Sequence, residues 1–237
     1  MPTRRDKETT RQLLLETGFE MMLERGLEVG WGIRLADVTE RVGLTTGAAY
    51  QIWSGSRTRH GAGGQDRFHH DLALYAMDRL ISETSVSHGE TAQILADDGA
   101  SFDRHLRTVG AQDFAAIAEP AECAVFTALI AAAGSDPDLA NAGATSYRLV
   151  TEHYVQAFEK TLQRYHLEVV PPHTLTDLVV SIIALGDGLA MRALVDPGAV
   201  PDDHPAPADA DTDATGPWHL FALGARALVR SMTRPAG

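Results

Sequence analysis

Cysteine is almost absent from this chain of 237 residues. Cys123 stands alone, which excludes an intramolecular disulfide framework and suits a reducing compartment. Long apolar runs are missing as well. No stretch approaches the ~18 residues that a membrane span needs. The charged start, Met1-Pro2-Thr3-Arg4-Arg5-Asp6-Lys7-Glu8, has no apolar stretch behind it that could serve as a signal peptide. Positive charge is scarce: 20 basic residues stand against 32 acidic ones, a net charge of −12. As a total, that weighs against a nucleic-acid partner, because phosphate contacts need clustered positive charge. What is present is ordinary for a globular protein, with 44% hydrophobic and 22% charged residues, and this excludes wholesale disorder. The composition describes a soluble, cytoplasmic protein and names no activity.

The charge is unevenly distributed. Residues 1–60 hold nine basic and eight acidic residues, so all the negative excess lies farther on. A difference of this kind between segments points to separate roles. The apolar pattern is helical nearly throughout, without the alternation that strands show. It predicts helices over 7–25, 35–42, 45–53, 66–82, 91–109, 119–133, 144–165, 174–194 and 218–232. The first carries a Leu14, Gly18, Met22 stripe, and Gly26 stands where a helix ends. Residues 54–65 read as a flexible, glycine-rich linker. Residues 196–217 hold six aspartates, five prolines and no lysine or arginine, which predicts an exposed, mobile loop. The fold class is all-α.

The informative stretch runs from Leu35 to Trp53, where two short helices flank a tight turn at Gly43, the pattern of a helix-turn-helix. Glycine permits a turn conformation that a Cβ would penalise. Thr45 is a good N-cap, and Ala49 and Trp53 form the buried edge of the second helix. Its other face offers Thr45, Thr46, Gly47, Ala48, Tyr50 and Gln51. Small residues at a helix N-terminus allow close approach to DNA, and the free N–H groups there favour a phosphate oxygen. Gln51 suits an adenine edge, and the methyl of a threonine or of Ala48 suits a thymine methyl. A Tyr50 hydroxyl bound to phosphate would position the helix without reading sequence. By spacing alone, a helix pair in a protein that never touches DNA reads the same way.

The wider run, Asp37-Val-Thr-Glu-Arg-Val-Gly-Leu-Thr-Thr-Gly-Ala-Ala-Tyr-Gln-Ile-Trp53 behind a first helix ending Glu24-Arg25-Gly26, resembles the DNA-binding region of the TetR family of transcriptional regulators. Thr45, Gly47, Tyr50 and Trp53 match the family's serine, glycine, tyrosine and closing aromatic. Farther on, Gly186-Asp-Gly-Leu-Ala-Met-Arg-Ala-Leu-Val-Asp-Pro197 resembles a stretch common in the penultimate helix of these proteins. There are departures. Arg34 replaces the usual threonine at the start of the second helix and cannot cap as threonine does. The usual lysine after the closing aromatic falls at Ser56, which makes the adjacent Arg57 the candidate substitute. The linker before the fourth helix is longer and richer in glycine than usual.

The resemblance implies an N-terminal three-helix head with its linker, residues 1–64, and a larger helical effector-binding and dimerisation domain, residues 65–237. It implies a double-stranded DNA operator, an effector pocket and a homodimer built on a four-helix interface. The interface candidates are Leu178, Ile182, Gly186, Leu189 and Ala190 on the penultimate helix, with Trp218, Phe221, Ala225 and Leu228 on the last. Aromatics at helical spacing are ordinary core residues, but the implied pocket makes Tyr75, Phe102, Phe126, Tyr154 and Phe158 its candidate lining. Arg148 and His153 are possible polar anchors.

Other chemistry finds little support. His69 and His70 are adjacent and point to different sides of a helix, and no histidine pair has metal-ligand spacing, so no metal and no cofactor is expected. Cys123 lacks a catalytic partner and sits in an apolar helix. An enzyme is not expected. The sequence supports a ligand-responsive repressor. The alternative is a small-molecule receptor or sequestering protein with weakened or lost operator binding, motivated by Arg34, Ser56 and the near-neutral head.

Overall fold

The computed structural model describes residues 7–25, 32–54, 63–84 and 99–237, except for the side chains of 81–84. It is all-α apart from one small strand pair. The chain forms two compact units: residues 1–80 with 120–144, and residues 81–119 with 145–237.

In the first unit, α1 (Lys7–Arg25) packs on α2 (Leu35–Arg41), α3 (Thr46–Ile52) and α6 (Pro120–Ala133). Leu14, Leu15, Phe19 and Met22 of α1 are buried, as are Leu35, Val38, Ala49 and Trp53. α4 (Gly64–Thr84) contributes Phe68, Leu72 and Ala76 to the buried set. Phe68 meets Trp53 edge-on with ring centroids 5.1 Å apart. Cys123 is buried in α6. The bounds of α1 are those the apolar stripe predicts, whereas Gly26 lies outside the described residues.

The second unit contains α5 (Phe102–Ile117), most of α7 (Pro137–Arg164), α8 (Leu175–Val195) and α9 (Leu220–Met232). α9 packs against both α5 and α8. Gly186 makes a close approach possible, since a Cβ there would stand 2.8 Å from Cδ1 of Ile117. Thr174 begins α8 with a full capping box, its hydroxyl accepting from the N–H of Asp177 while the Asp177 carboxylate accepts from the N–H of Thr174.

Four expectations are corrected. The helix placed at 91–109 starts at Phe102 and runs to Ile117, because Ser101 is its N-cap and accepts from the N–H of Arg104; residues 91–98 lie outside the described residues. The helix placed at 144–165 begins seven residues earlier, at Pro137. Asp136 accepts from the N–H groups of Asp138 and Leu139, and proline at the first helical position gives up no hydrogen bond. Strands do occur: β1 (Leu167–Val169) pairs antiparallel with β2 (Thr233–Pro235).

The fourth correction concerns residues 196–217, which are tied down rather than loose. Asp209 receives hydrogen bonds from Arg226 and Arg230 at 3.1 and 2.6 Å. Asp213 accepts from the N–H and the hydroxyl of Ser101. The N–H of Asp211 donates to Asp103 at 3.0 Å. Ala214 is fully buried with Trp218, Leu106 and Ala222. His204 pairs its backbone with that of Trp218. Asp196, Asp209, Asp211 and Asp213 find donors within the fold, so composition alone misjudges their freedom.

Candidate functional site

The helix-turn-helix forms as its residue types demand. Gly43 adopts φ +68°, the left-handed conformation that glycine takes without strain, and the N–H of Leu44 returns to the carbonyl of Thr39 at 2.9 Å. Thr45 caps α3, its hydroxyl accepting from the N–H of Ala48. Ala49 and Trp53 face inward, and the opposite side presents Thr45, Gly47, Ala48, Tyr50 and Gln51 to solvent. Thr46 is half-buried because its hydroxyl faces that of Thr39 at 3.4 Å. The Tyr50 ring lies beside Gly64 at the start of α4 and is 38% exposed.

Arg34 occupies the N-cap position of α2 without a capping bond, and its guanidinium pairs with Asp37 at 2.8 Å. The cap comes from elsewhere. Oε1 of Gln65 accepts from the N–H of Leu35 at 2.9 Å, and Nε2 of Gln65 donates to the carbonyl of Ile33 at 3.0 Å. His69 places Nε2 2.7 Å from that same carbonyl. Two further residues of α4 grip the end of α3. Asp71 accepts from Nε1 of Trp53 and from Arg11, both at 2.8 Å, and Arg67 donates to the carbonyl of Trp53 at 3.0 Å. Gln65, Arg67 and Asp71 are not among the residues the sequence singles out. Their i, i+2 and i+6 placement carries no motif, and only the fold brings them to the head. Arg57 lies outside the described residues.

The candidate pocket residues fall into separate units. Tyr75 on α4 and Phe126 on α6 belong to the first, where Tyr75 meets Phe19 edge-on. Phe102, Tyr154 and Phe158 belong to the second, where Phe102 meets Tyr165 at 5.2 Å. Arg148 is exposed and paired with Glu152, so it faces solvent. His153 packs beside Tyr154.

The second unit also holds titratable groups, among them Asp187 of the Gly186–Pro197 stretch and the pocket candidate Tyr154. The hydroxyl of Tyr147 donates to the Asp187 carboxylate at 2.9 Å. Burial holds Asp187 above the usual carboxylate range, although the Tyr147 bond works against it. Burial pushes the Tyr154 hydroxyl up, and the charges of Asp113 and Asp187 push it further. His105 is 6% exposed, and its Nδ1 is buried with no hydrogen-bond partner among the described residues. Burial and then the charge of Arg164 lower its pKa, keeping the ring neutral. Among the described residues no group of three or more His, Cys, Asp or Glu is arranged to hold a metal ion.

Of the interface candidates, Leu178, Ile182, Gly186 and Ala190 are buried within the chain's own unit, as are Trp218, Phe221 and Ala225. Leu189 and Leu228 are half-buried. α8 exposes Val180, Met191 and Val195 instead, at 49, 50 and 84%.

Residues 103–212 match the family model for the C-terminal domain of BetI-type transcriptional repressors. Over these residues the chain is similar to the TetR family of transcriptional regulators. No curated protein matches it in sequence. A solved structure of a protein from Rhodococcus sp., described as a TetR-family transcriptional regulator, shares its fold with a TM-score of 0.52. That likeness spans 94% of this chain and 97% of the other at 16% identity, and at such identity it is a likeness of fold.

Proposed function

We propose that this protein is a TetR-family repressor that leaves a palindromic DNA operator when a small molecule binds its larger domain. The observation that carries the reading is the exposed face of α3. Thr45, Gly47, Ala48, Tyr50 and Gln51 are presented on a helix whose other side is anchored through Ala49 and Trp53. Functionally, residues 1–64 are the DNA-binding head and 65–237 the effector and dimerisation part. Gln51 and Ala48 read base edges, while Tyr50, Thr45, Thr46 and the backbone at Gly47 meet phosphate or sugar. Arg57 adds a phosphate contact. The matched family model is one of repressors, which favours repression over activation. Phe102, Tyr154 and Phe158 serve the effector site in the second unit.

The homodimer rests on α8. This helix is apolar enough to cross a membrane by composition, yet only 28% of its most apolar 18-residue window is buried within the chain. Val180, Met191 and Val195 form an exposed apolar strip for a second copy. Asp187 in the same helix takes its hydrogen bond from Tyr147, an arrangement suited to a protein interior and not to lipid.

A second reading, a receptor or sequestering protein with weakened operator binding, draws on the Arg34–Asp37 ion pair, which diverts Arg34 from phosphate. Fluorescence anisotropy with fragments of the protein's own upstream region separates the two. The repressor reading requires one fragment to bind well above random DNA at moderate salt, and its failure there would leave the receptor.

A further inference from the structure

The acidic segment after α8 is joined to the start of α9 by hydrogen bonds that meet at two histidines. His204 and Trp218 exchange both backbone bonds, at 3.0 and 2.9 Å. The carbonyl of Pro201 accepts the N–H of Leu220, the first residue of α9, at 3.1 Å. His219 is the N-cap of that helix, and Nδ1 of its ring accepts the N–H of Phe221 at 3.0 Å. The segment thus supplies acceptors for the first two N–H groups of α9, one a carbonyl and one an imidazole. Ala214 and Trp218 beside them are fully buried, and Val200 is buried as well.

A histidine cap differs from a serine, threonine or asparagine cap in one respect. Its Nδ1 accepts only in the neutral ring, because both nitrogens of an imidazolium are donors. A proton on Nδ1 removes the acceptor, aims one N–H at another, and puts positive charge at the positive end of the helix dipole. Burial is the largest influence on His219 and lowers its pKa; the charge of His204 acts the same way, and that of Asp202 opposes them. From α5 the ring meets Phe114, with centroids 4.2 Å apart, while Arg107 of the same helix lies beside Gly216. Nε2 of His204 is buried with no hydrogen-bond partner among the described residues, so the segment has no acceptor there for a charged ring.

We propose that His219 is a pH-sensitive latch, whose neutral ring closes residues 200–208 onto the start of α9 and whose protonation releases them. The release is local. Farther along, the segment stays anchored through Asp209 and Asp213, since Asp103 and Asp213 both sit below the ordinary carboxylate range and remain ionised in mild acid. The closed latch holds the His219 proton less tightly than the open one, so closure is favoured above about pH 6.5 and is lost as pH falls below it.

The test is amide hydrogen exchange of the full chain at pH 7.5 and 5.5, expressed as protection factors so that the intrinsic pH dependence of exchange is removed. The amides read are those of His204, Trp218, Leu220 and Phe221, with Ile182 of α8 as the internal reference. A group that opens to an ordinary imidazole pKa of about 6.5 loses at most about tenfold in protection over this interval. A loss of at least threefold at the four amides is expected, with Ile182 unchanged. His219→Asn keeps a capping acceptor at every pH and should abolish the pH dependence, leaving the four amides protected at both values. His219→Ser serves in its place should that variant fold poorly. His219→Ala removes the acceptor and should leave Phe221 poorly protected at both values. A purely structural role would lower protection in the variants without flattening its pH dependence. Unchanged protection in the wild-type chain overturns the proposal. So does a loss that persists in His219→Asn, which would assign the titration to His204 or His105, or a loss shared equally by Ile182, which would make it global.

Discussion

The side-chain oxygen of Gln65 accepts the N–H of Leu35 at 2.9 Å and so caps a helix that begins 30 residues upstream. The first turn of a helix leaves its N–H groups without partners, and a side chain at the N-cap normally supplies one. Arg34 has no acceptor to offer, so the cap comes from α4 instead. The capping bond thereby ties α2 to the first turn of α4.

Gln65→Ala should destabilise the head by about 1 kcal/mol, the usual cost of a lost cap, and weaken operator binding. Arg34→Thr restores a local cap, so the double variant should recover most of the loss. Urea denaturation of the four proteins in the cycle measures this. Equal loss in the single and double variants would show that Gln65 acts by other means.

Tyr50 and Gln51 are neighbours on the exposed side of α3 with different assigned roles. Tyr50→Phe should weaken binding to all DNA sequences alike. Gln51→Ala should relax preference at one position in each half-site, with a discrimination loss of about 1–3 kcal/mol. Anisotropy against single-base operator variants reads both. An unchanged preference profile for Gln51→Ala would remove it as a base reader.

Arg226 donates to the fully buried Asp103 at 2.8 and 3.0 Å. Burial alone would raise the Asp103 carboxyl, but the Arg226 bonds, the Asp211 N–H and the charges of Arg226 and Arg230 bring it below its ordinary range. Its contribution to stability is therefore present above pH ~4 and is lost as pH falls through the lower folded value. Arg226→Met removes the two shorter arginine bonds of Asp103 and leaves it the 3.3 Å contact with Arg230, so it should cost somewhat less than the about 3–5 kcal/mol of a buried charge stripped of its partner. Limited proteolysis should then cut within 196–217, since Asp209 loses the same partner. Removing both partners, as Asp103→Leu with Arg226→Met, should cost less than the single change.

Asp187 behaves oppositely. Its raised carboxyl pKa means that the folded chain holds the proton more tightly than the unfolded chain does. Stability is lost as pH rises from the unfolded toward the folded value, so at neutral pH this carboxyl group opposes folding. Asp187→Asn keeps an acceptor for Tyr147 and should raise the thermal midpoint at pH 7 by roughly 2–4 °C, with the gain vanishing at acid pH. A lower midpoint at pH 7 would contradict this.

Met191→Glu combined with Val195→Glu should give monomers by sedimentation without loss of helix content, because both side chains are exposed in the single chain. Trp218→Glu is no test of assembly. Trp218 is fully buried and donates to the carbonyl of Ala214 at 2.9 Å, so charge there disrupts the unit itself. A dimer that survives the double change would place the interface elsewhere.

The head is legible in the sequence because its determinants are local. The Leu14–Gly18–Met22 stripe, the turn at Gly43, the cap at Thr45 and the inward pair Ala49 and Trp53 each act within a few residues, where sequence spacing is spatial spacing. The net charge of −12 is legible as a total but misleads about partners, since the head carries little of it. The α2 cap, the seating of 196–217 and the Asp187 site depend on partners 30, 112 and 40 positions apart, Gln65 with Leu35, Ser101 with Asp213 and Tyr147 with Asp187. A hydrogen bond needs its donor and acceptor within about 3 Å, and no periodicity along the chain encodes which distant pair meets. Tertiary packing alone decides those contacts, and with them whether an aspartate is solvated, ion-paired or buried against a neutral donor.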